Sequence, residues 1–260
     1  MTPLTLVIPC YNEADRLRVD RFAEALDAQP ALHLLMVNDG STDGTAKVLR
    51  NMAEHGGPRV SWLELPVNSG KAEAVRRGLI HAMELSPPLV GFWDADLATP
   101  LEEAPRFVEQ FESRPALQAV LGSRVRLMGY AIERSAMRHY LGRIFATAAS
   151  LSLNLAVYDT QCGAKVFRNG DMMQQVLSQP FLSRWHFDVE ILFRLRAAAN
   201  GSAMRMAQLV RELPLRRWHD VAGSKLKPAD FARAGLDLWR MRVRYRRPVR
   251  SRESTDRTIP

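Results

Sequence analysis

An α/β fold, with a mostly parallel central sheet flanked by helices, is predicted for this chain of 260 residues, and three observations predict it. Apolar runs of strand length alternate with helix-length amphipathic segments through the first half. Those runs are short and bounded by turn residues, as strands buried inside a parallel sheet are. A hydrophobic content of 47% suits one large domain with a substantial core.

The elements follow in order. Leu4-Thr5-Leu6-Val7-Ile8-Pro9 is a buried strand stopped by proline. Leu17, Phe22 and Leu26 give residues 14–28 a helical period. A second strand spans 32–37 and runs into Asn38-Asp39-Gly40-Ser41-Thr42-Asp43-Gly44-Thr45, dense in turn and capping residues, ahead of a helix over 43–54. Residues 60–65 form a third strand, and a helix over 70–84 begins after Asn68-Ser69-Gly70-Lys71. The fourth strand, 89–93, ends at Asp94-Ala95-Asp96, and Pro100 is placed to open the next helix. The second half is less regular. A long helical stretch is expected over 131–157 and a helix over 187–199. A strand is expected over 204–215, where Met204, Met206 and Leu209 are interleaved with polar residues.

The net charge is +8, and eight arginines from Arg240 onward face only Glu253 and Asp256. The body is therefore nearly balanced and the basicity sits at the C-terminus. Such an end suits an anionic membrane surface or nucleic acid, or is simply solvated. Cys10 and Cys162 make neither a disulfide framework nor a zinc spacing, so a reducing, cytoplasmic setting is expected. The first residues enter a strand at once, so no leader peptide is expected. No uninterrupted apolar stretch is long enough to span a bilayer.

Three loops follow strand ends: Pro9-Cys10-Tyr11-Asn12-Glu13, Asn38-Asp39-Gly40-Ser41 and Asp94-Ala95-Asp96. In a parallel sheet they lie on one edge, where open α/β sheets bind ligands. Strand positions i and i+2 share a side, so Asp94 and Asp96 project together. Adjacent carboxylates repel unless a cation joins them. A hard divalent ion, Mg2+ or Mn2+, fits, because such ions bind through one or two carboxylates plus substrate phosphates. The edge then offers a ring for stacking, amide and carboxylate groups, and a metal pair, which together suit a nucleotide diphosphate. Neither a G-x-G-x-x-G nor a Walker motif is present. Much of the phosphate charge is left to the metal, helped by Lys71 at a helix start. Each loop alone also reads as helix capping by Asn and Asp. Their coincidence on one edge argues for a site.

Ile8-Pro9-Cys10-Tyr11-Asn12-Glu13, the Val37–Thr45 loop and Asp94-Ala95-Asp96 resemble the signature of family 2 glycosyltransferases, whose nucleotide-sugar-binding fold is called GT-A. Asn68-Ser69-Gly70-Lys71, Gly122-Ser123-Arg124, Asp159-Thr160-Gln161-Cys162-Gly163 and Gly223-Ser224-Lys225 resemble the branch that glucosylates dolichyl or polyprenyl phosphate. The resemblance implies a catalytic domain over 1–227, followed by a basic amphipathic helix and Arg-rich tail over 228–260. It implies that Pro9, Tyr11, Asn12, Glu13 and Asp39 hold the nucleoside, with Lys71 and Lys225 at phosphate. Asp94 lies near ribose or metal, and Asp96 is the main metal ligand. Arg124 and Arg138 are candidates for the acceptor phosphate.

The base stays open between Asp159, Asp188 and none. A phosphate monoester has a second pKa near ~6 and needs no deprotonation to attack, whereas a sugar hydroxyl needs a positioned base. The expected activity is inverting transfer of a hexose, UDP-glucose being the favoured donor, to a lipid phosphate at the cytoplasmic membrane face. GDP-mannose or a saccharide acceptor are the alternatives within the fold. A nucleotide-binding regulator is the alternative outside catalysis. Nucleic acid is not an expected partner, since it leaves Asp94 and Asp96 idle. Contact with a bilayer falls to residues 140–157 and to the C-terminal helix, where Trp239, Met241 and Tyr245 mix with arginines. The oligomeric state is not legible.

Overall fold

The computed structural model describes residues 2–132, 136–220 and 228–245, with 136–141 and 228–232 described by backbone alone. Strand β1 (Leu4–Cys10) is the pivot of the sheet. It pairs in parallel with β2 (Leu32–Asp39) on one side and β4 (Leu89–Trp93) on the other. Strand β3 (Val60–Leu65) lies outside β2. Beyond β4 come β7 (Ala164–Arg168), β5 (Ala119–Ser123) and β8 (Val210–Pro214), giving a seven-stranded order β3-β2-β1-β4-β7-β5-β8. Neighbours in this sheet are parallel except where β7 joins β4 and β5. A short ribbon pairs β6 (Ala131–Ile132) with β9 (Arg217–Trp218).

Successive β1 side chains point to opposite faces. Leu6 and Ile8 enter one core layer with Leu34, Met36, Trp93 and Phe107. Val7 enters the other with Leu35, Val37, Phe92 and Phe187. Both faces are buried, which is why these strands read as continuous apolar runs. Helices α1 (Val19–Ala28), α2 (Thr45–Gly56) and α4 (Ala104–Ser113) cover the first layer. Helices α3 (Lys71–Glu84), α6 (Asp171–Leu177) and α7 (Phe187–Ala198) cover the second. The second layer is extended by α5 (Ala136–Leu153), α8 (Ala203–Leu209) and α9 (Pro228–Arg244).

Several elements differ from the sequence expectation. Helix α1 begins at Val19 rather than near 14, because the amides of Arg16 and Leu17 turn back to the Glu13 carbonyl. The segment 204–215 is not one strand. Ser202 Oγ accepts the Arg205 amide and caps α8, and only the part from Val210 joins the sheet. Residues 131–132 pair with β9 rather than opening the long helix. The helix of the basic extension is not a bare appendage, since Ala234, Leu238 and Met241 are buried in the second layer. Among the described residues no helix is long and apolar enough to cross a membrane.

Trp93 closes β4 against the first layer. Its ring is fully buried, packs edge-on against Phe107 at 5.2 Å, and donates Nε1–H to the Thr99 carbonyl at 2.7 Å. Trp93→Ala removes that packing and leaves the carbonyl unpaired; a loss of about 3–5 kcal/mol is expected from urea denaturation.

Candidate nucleotide and metal site

The chain leaves β1 toward β2 on one side, while β4 lies on the other. The crevice at such a reversal, outside the carboxyl ends of the strands, is where doubly wound sheets place ligands. The three loops singled out in the sequence meet there. Asn12 takes φ +53° and joins the first two, giving its amide to Ser41 Oγ at 3.0 Å and accepting Thr42 N–H on Oδ1 at 2.9 Å. The Glu13 amide donates to Thr45 Oγ1 at 2.8 Å. Asp39 accepts the amides of Ser69 and Gly70, each at 2.8 Å, and so fixes the loop ahead of α3. Gly40, at φ +63°, lets that loop close, because a Cβ there would lie 2.5 Å from the Asn68 nitrogen.

Pro9, Tyr11, Glu13, Asp39 and Lys71 line one hollow of about 800 Å3. Lys71 Nζ lies 2.5 Å from Asp94 Oδ1, an ion-pair contact rather than an aligned hydrogen bond. Burial opposes the charge on Lys71, but Asp94 and then Asp188 more than offset it and keep its pKa raised. Asp94 itself is set by the turn behind it, its amide donating to the Gly163 carbonyl at 2.9 Å. A Cβ on Gly163 would fall 2.0 Å from Asp94 Oδ2, so only glycine permits this approach. Asp96 lines a second hollow of about 630 Å3 with Arg16, Arg217 and His219. Burial, and then the Asp94 charge, raise the Asp96 pKa, with Glu13 adding to the repulsion. Against these stand one amide, from Ala98 at 3.0 Å, and the charge of Lys71.

A carboxylate so crowded by negative charge fits a hard divalent cation. Among the described residues no three His, Cys, Asp or Glu side chains are grouped to hold one alone. Asp94 and Asp96 with substrate phosphate oxygens are the donor set such an ion accepts.

The carboxylates considered for the base are both paired. Asp159 takes Arg124 in a two-pronged contact, Nε to Oδ2 at 2.6 Å and Nη2 to Oδ1 at 2.8 Å, and also accepts the Arg124 amide. Burial would raise the Asp159 pKa, but Arg124 overcomes it and holds the carboxyl well below the usual range. Asp188 receives Lys165 Nζ at 2.5 Å, and Lys165 is fully buried in β7. Arg138 lies in α5 where only the backbone is described, and Lys225 falls outside the described residues.

Other residues were not evident from the sequence. Glu212 accepts the amides of Tyr158 and Asp159 and seats the turn bearing Asp159. Arg184, Arg233 and Arg240 also line the larger hollow. Lys165, the partner of Asp188, did leave a signal: a lysine inside the apolar run 164–167 demands a buried counter-ion. Ser183, His186 and Asp237 meet without forming a nucleophile arrangement. Ser183 Oγ donates to Asp237 Oδ2 at 2.6 Å, and His186 Nδ1 reaches the same oxygen at 2.9 Å. They clasp α9 to the 183–186 turn.

The fold is that of the GT-A class, with the crevice at the reversal of strand order. The chain belongs to glycosyl transferase family 2, whose model matches residues 5–173, and it is a glycosyltransferase. It is 32% identical over 263 residues to the dolichyl-phosphate beta-glucosyltransferase of Drosophila melanogaster, covering 93% of this chain and 75% of the relative. It is 30% identical over 257 residues to the enzyme of that name from Homo sapiens, with 93% and 75% covered. Its fold is similar to a crystal structure of glucosyl-3-phosphoglycerate synthase from Mycobacterium tuberculosis in complex with Mn2+ and UDP-glucose, at 17% identity. The TM-score is 0.65, with 94% of this chain and 79% of that one covered.

The two buried pairs give separate expectations for stability. Asp188→Ala takes from the buried Lys165 its carboxylate partner and leaves its Nζ the Cys162 carbonyl, and a loss of about 3–5 kcal/mol is expected in urea at pH 7. The folded pKa of Asp159 lies below its unfolded value near ~3.9, so its contribution is complete above that pH and is lost as pH falls below about 4. Asp159→Asn is therefore expected to lower stability at pH 7 and to flatten its decline between about pH 4 and pH 2, as read from denaturation midpoints.

Proposed function

We propose that the protein transfers a glucosyl unit from UDP-glucose to a dolichyl or polyprenyl phosphate at the cytoplasmic face of a membrane, with inversion at the anomeric carbon. The relatives named dolichyl-phosphate beta-glucosyltransferase support the sugar and the acceptor. The synthase of similar fold, crystallised with Mn2+ and UDP-glucose, supports the donor and a divalent ion.

One observation carries the choice of a phosphate acceptor. Asp159 and Asp188 are each occupied by a cation, Arg124 and Lys165, and Asp39 is occupied by two amides. A sugar hydroxyl needs a free base close to the anomeric carbon. A phosphate monoester is mostly dianionic at neutral pH and needs none. Its oxygen forms the bond to the anomeric carbon while the bond to the diphosphate oxygen breaks, and UDP leaves with the electron pair.

Within this reading Tyr11 gives the base a stacking face. Pro9 and Glu13 line the nucleoside's wall, and Asn12 and Asp39 hold the loops that shape it. Lys71 turns its charge between Asp94 and the donor phosphates, and Lys225 assists them. Asp94 and Asp96 are the residues that would hold Mg2+ or Mn2+, which when bound supplies positive charge to the departing diphosphate. Arg124, aligned by Asp159, and Arg138 are the candidates for the acceptor phosphate at the reaction centre.

A screen of nucleotide sugars against short polyprenyl phosphates, with Mg2+ or Mn2+ and mass spectrometry, tests the reaction. A glucosylated lipid phosphate is the expected product, and transfer only to saccharides would overturn the reading. Asp96→Ala should lower turnover by about three orders of magnitude or more and weaken Mn2+ binding in the presence of UDP, measured by calorimetry. Asp159→Asn should keep turnover within about tenfold, because loss of a true general base costs about 100- to 10,000-fold.

A further inference from the structure

The larger hollow has two unlike walls. Strand ends supply one, with Pro9, Tyr11, Glu13 and Asp39. The turn 182–185 and helix α9 supply the other. At 100° per residue, the buried residues Ala234, Asp237, Leu238 and Met241 mark the inner side of α9. Arg233, Leu236 and Arg240 fall on its flank beside the hollow. Trp239 and Val243 follow on the outward side, 62% and 55% exposed, with Leu236 at 45% joining the two groups. Leu182 and Trp185, at 49% and 66%, are exposed on the turn across the rim. Arg242 and Arg244 are exposed on α9 as well.

Apolar and aromatic residues left in water beside arginines make the composition of a helix that lies in an anionic lipid interface. A second copy of this chain would bring arginines against arginines, which disfavours self-association through this face.

We propose that the outward face of α9 and the 182–185 turn form a docking surface for an anionic lipid bilayer. Arg233 and Arg240, where that surface meets the hollow, receive the phosphate of the lipid acceptor. The second part rests on the phosphate-acceptor reading; the first does not. The surface belongs to a helix held in the core, so it is distinct from the Arg-rich end that follows. The clasp of Ser183 and His186 on Asp237 holds its two halves together.

The test uses the full chain and vesicles of phosphatidylcholine with or without phosphatidylglycerol. Flotation is expected with the anionic vesicles and to fall with added salt. Trp239→Ser/Val243→Ser, which leaves every arginine in place, should reduce bound protein at least tenfold while leaving the UDP-dependent rise in melting temperature unchanged. Flotation of this variant equal to the unaltered chain overturns the docking surface. So does equal flotation with neutral and anionic vesicles, or a dimer seen by sedimentation that the double substitution dissolves. Arg233→Gln/Arg240→Gln should raise KM for a short soluble prenyl phosphate about tenfold without changing KM for UDP-glucose; unchanged values for both remove the phosphate role. If the intact enzyme glucosylates no lipid phosphate, the acceptor reading and the phosphate role fall together, and flotation still decides the surface.

Discussion

A carboxylate taken out of water must be met by a cation or by several donors, or it gives up its charge. The crevice of this protein is organised by that constraint. Asp39 is met by the amides of Ser69 and Gly70, Asp94 by Lys71, Asp159 by Arg124 and Asp188 by Lys165. Each match also fixes a piece of backbone: the loop before α3, the end of β4, the turn after α5, and the start of α7. Asp96 is the exception. One amide and a shared lysine charge face burial, Asp94 and Glu13 together. The imbalance is local and electrostatic, and it singles out the position where an added cation gains most.

The first half of the fold is legible in the sequence because β1, β2 and β4 are buried on both faces and so appear as unbroken apolar runs. The second half hides its strands. Strand β7 carries Lys165 at its second position, so a buried strand looks interrupted by charge. Met204, Met206 and Leu209 imitate strand alternation. A capped helix wins over residues 203–209, because Ser202 satisfies the Arg205 amide and Met206 is buried against the second layer.

The site divides along the same line. One half lies on loops that directly follow legible strands, so spacing and topology alone bring Tyr11, Asp39 and Asp94 to one edge. The rest depends on long-range pairing. Arg124 and Asp159 lie 35 residues apart, and Lys165 and Asp188 lie 23 apart. No local pattern tells which arginine or lysine a given aspartate will meet. The resemblance raised Arg124 and Asp159 as candidates; only the fold joins them, and joining them changes what each is free to do.

That change bears on the chemistry. A guanidinium gripped on two prongs by a buried carboxylate keeps its orientation and can still present its remaining N–H groups. The carboxylate in such a pair has its oxygens engaged and its proton affinity lowered, which makes it a poor base. Pairing therefore favours an arginine that positions over an aspartate that abstracts, and it favours an acceptor that arrives already ionised. An ionised acceptor needs positive charge along its approach. Among the described residues lining the hollow, Arg184 and Arg233 have no carboxylate partner, and Arg240 has Asp237 only at 4.0 Å; the last two are on α9. The helix that looked from sequence like an appendage is thus continuous with the binding wall, and its burial in the core holds those charges at a fixed distance from the strand ends.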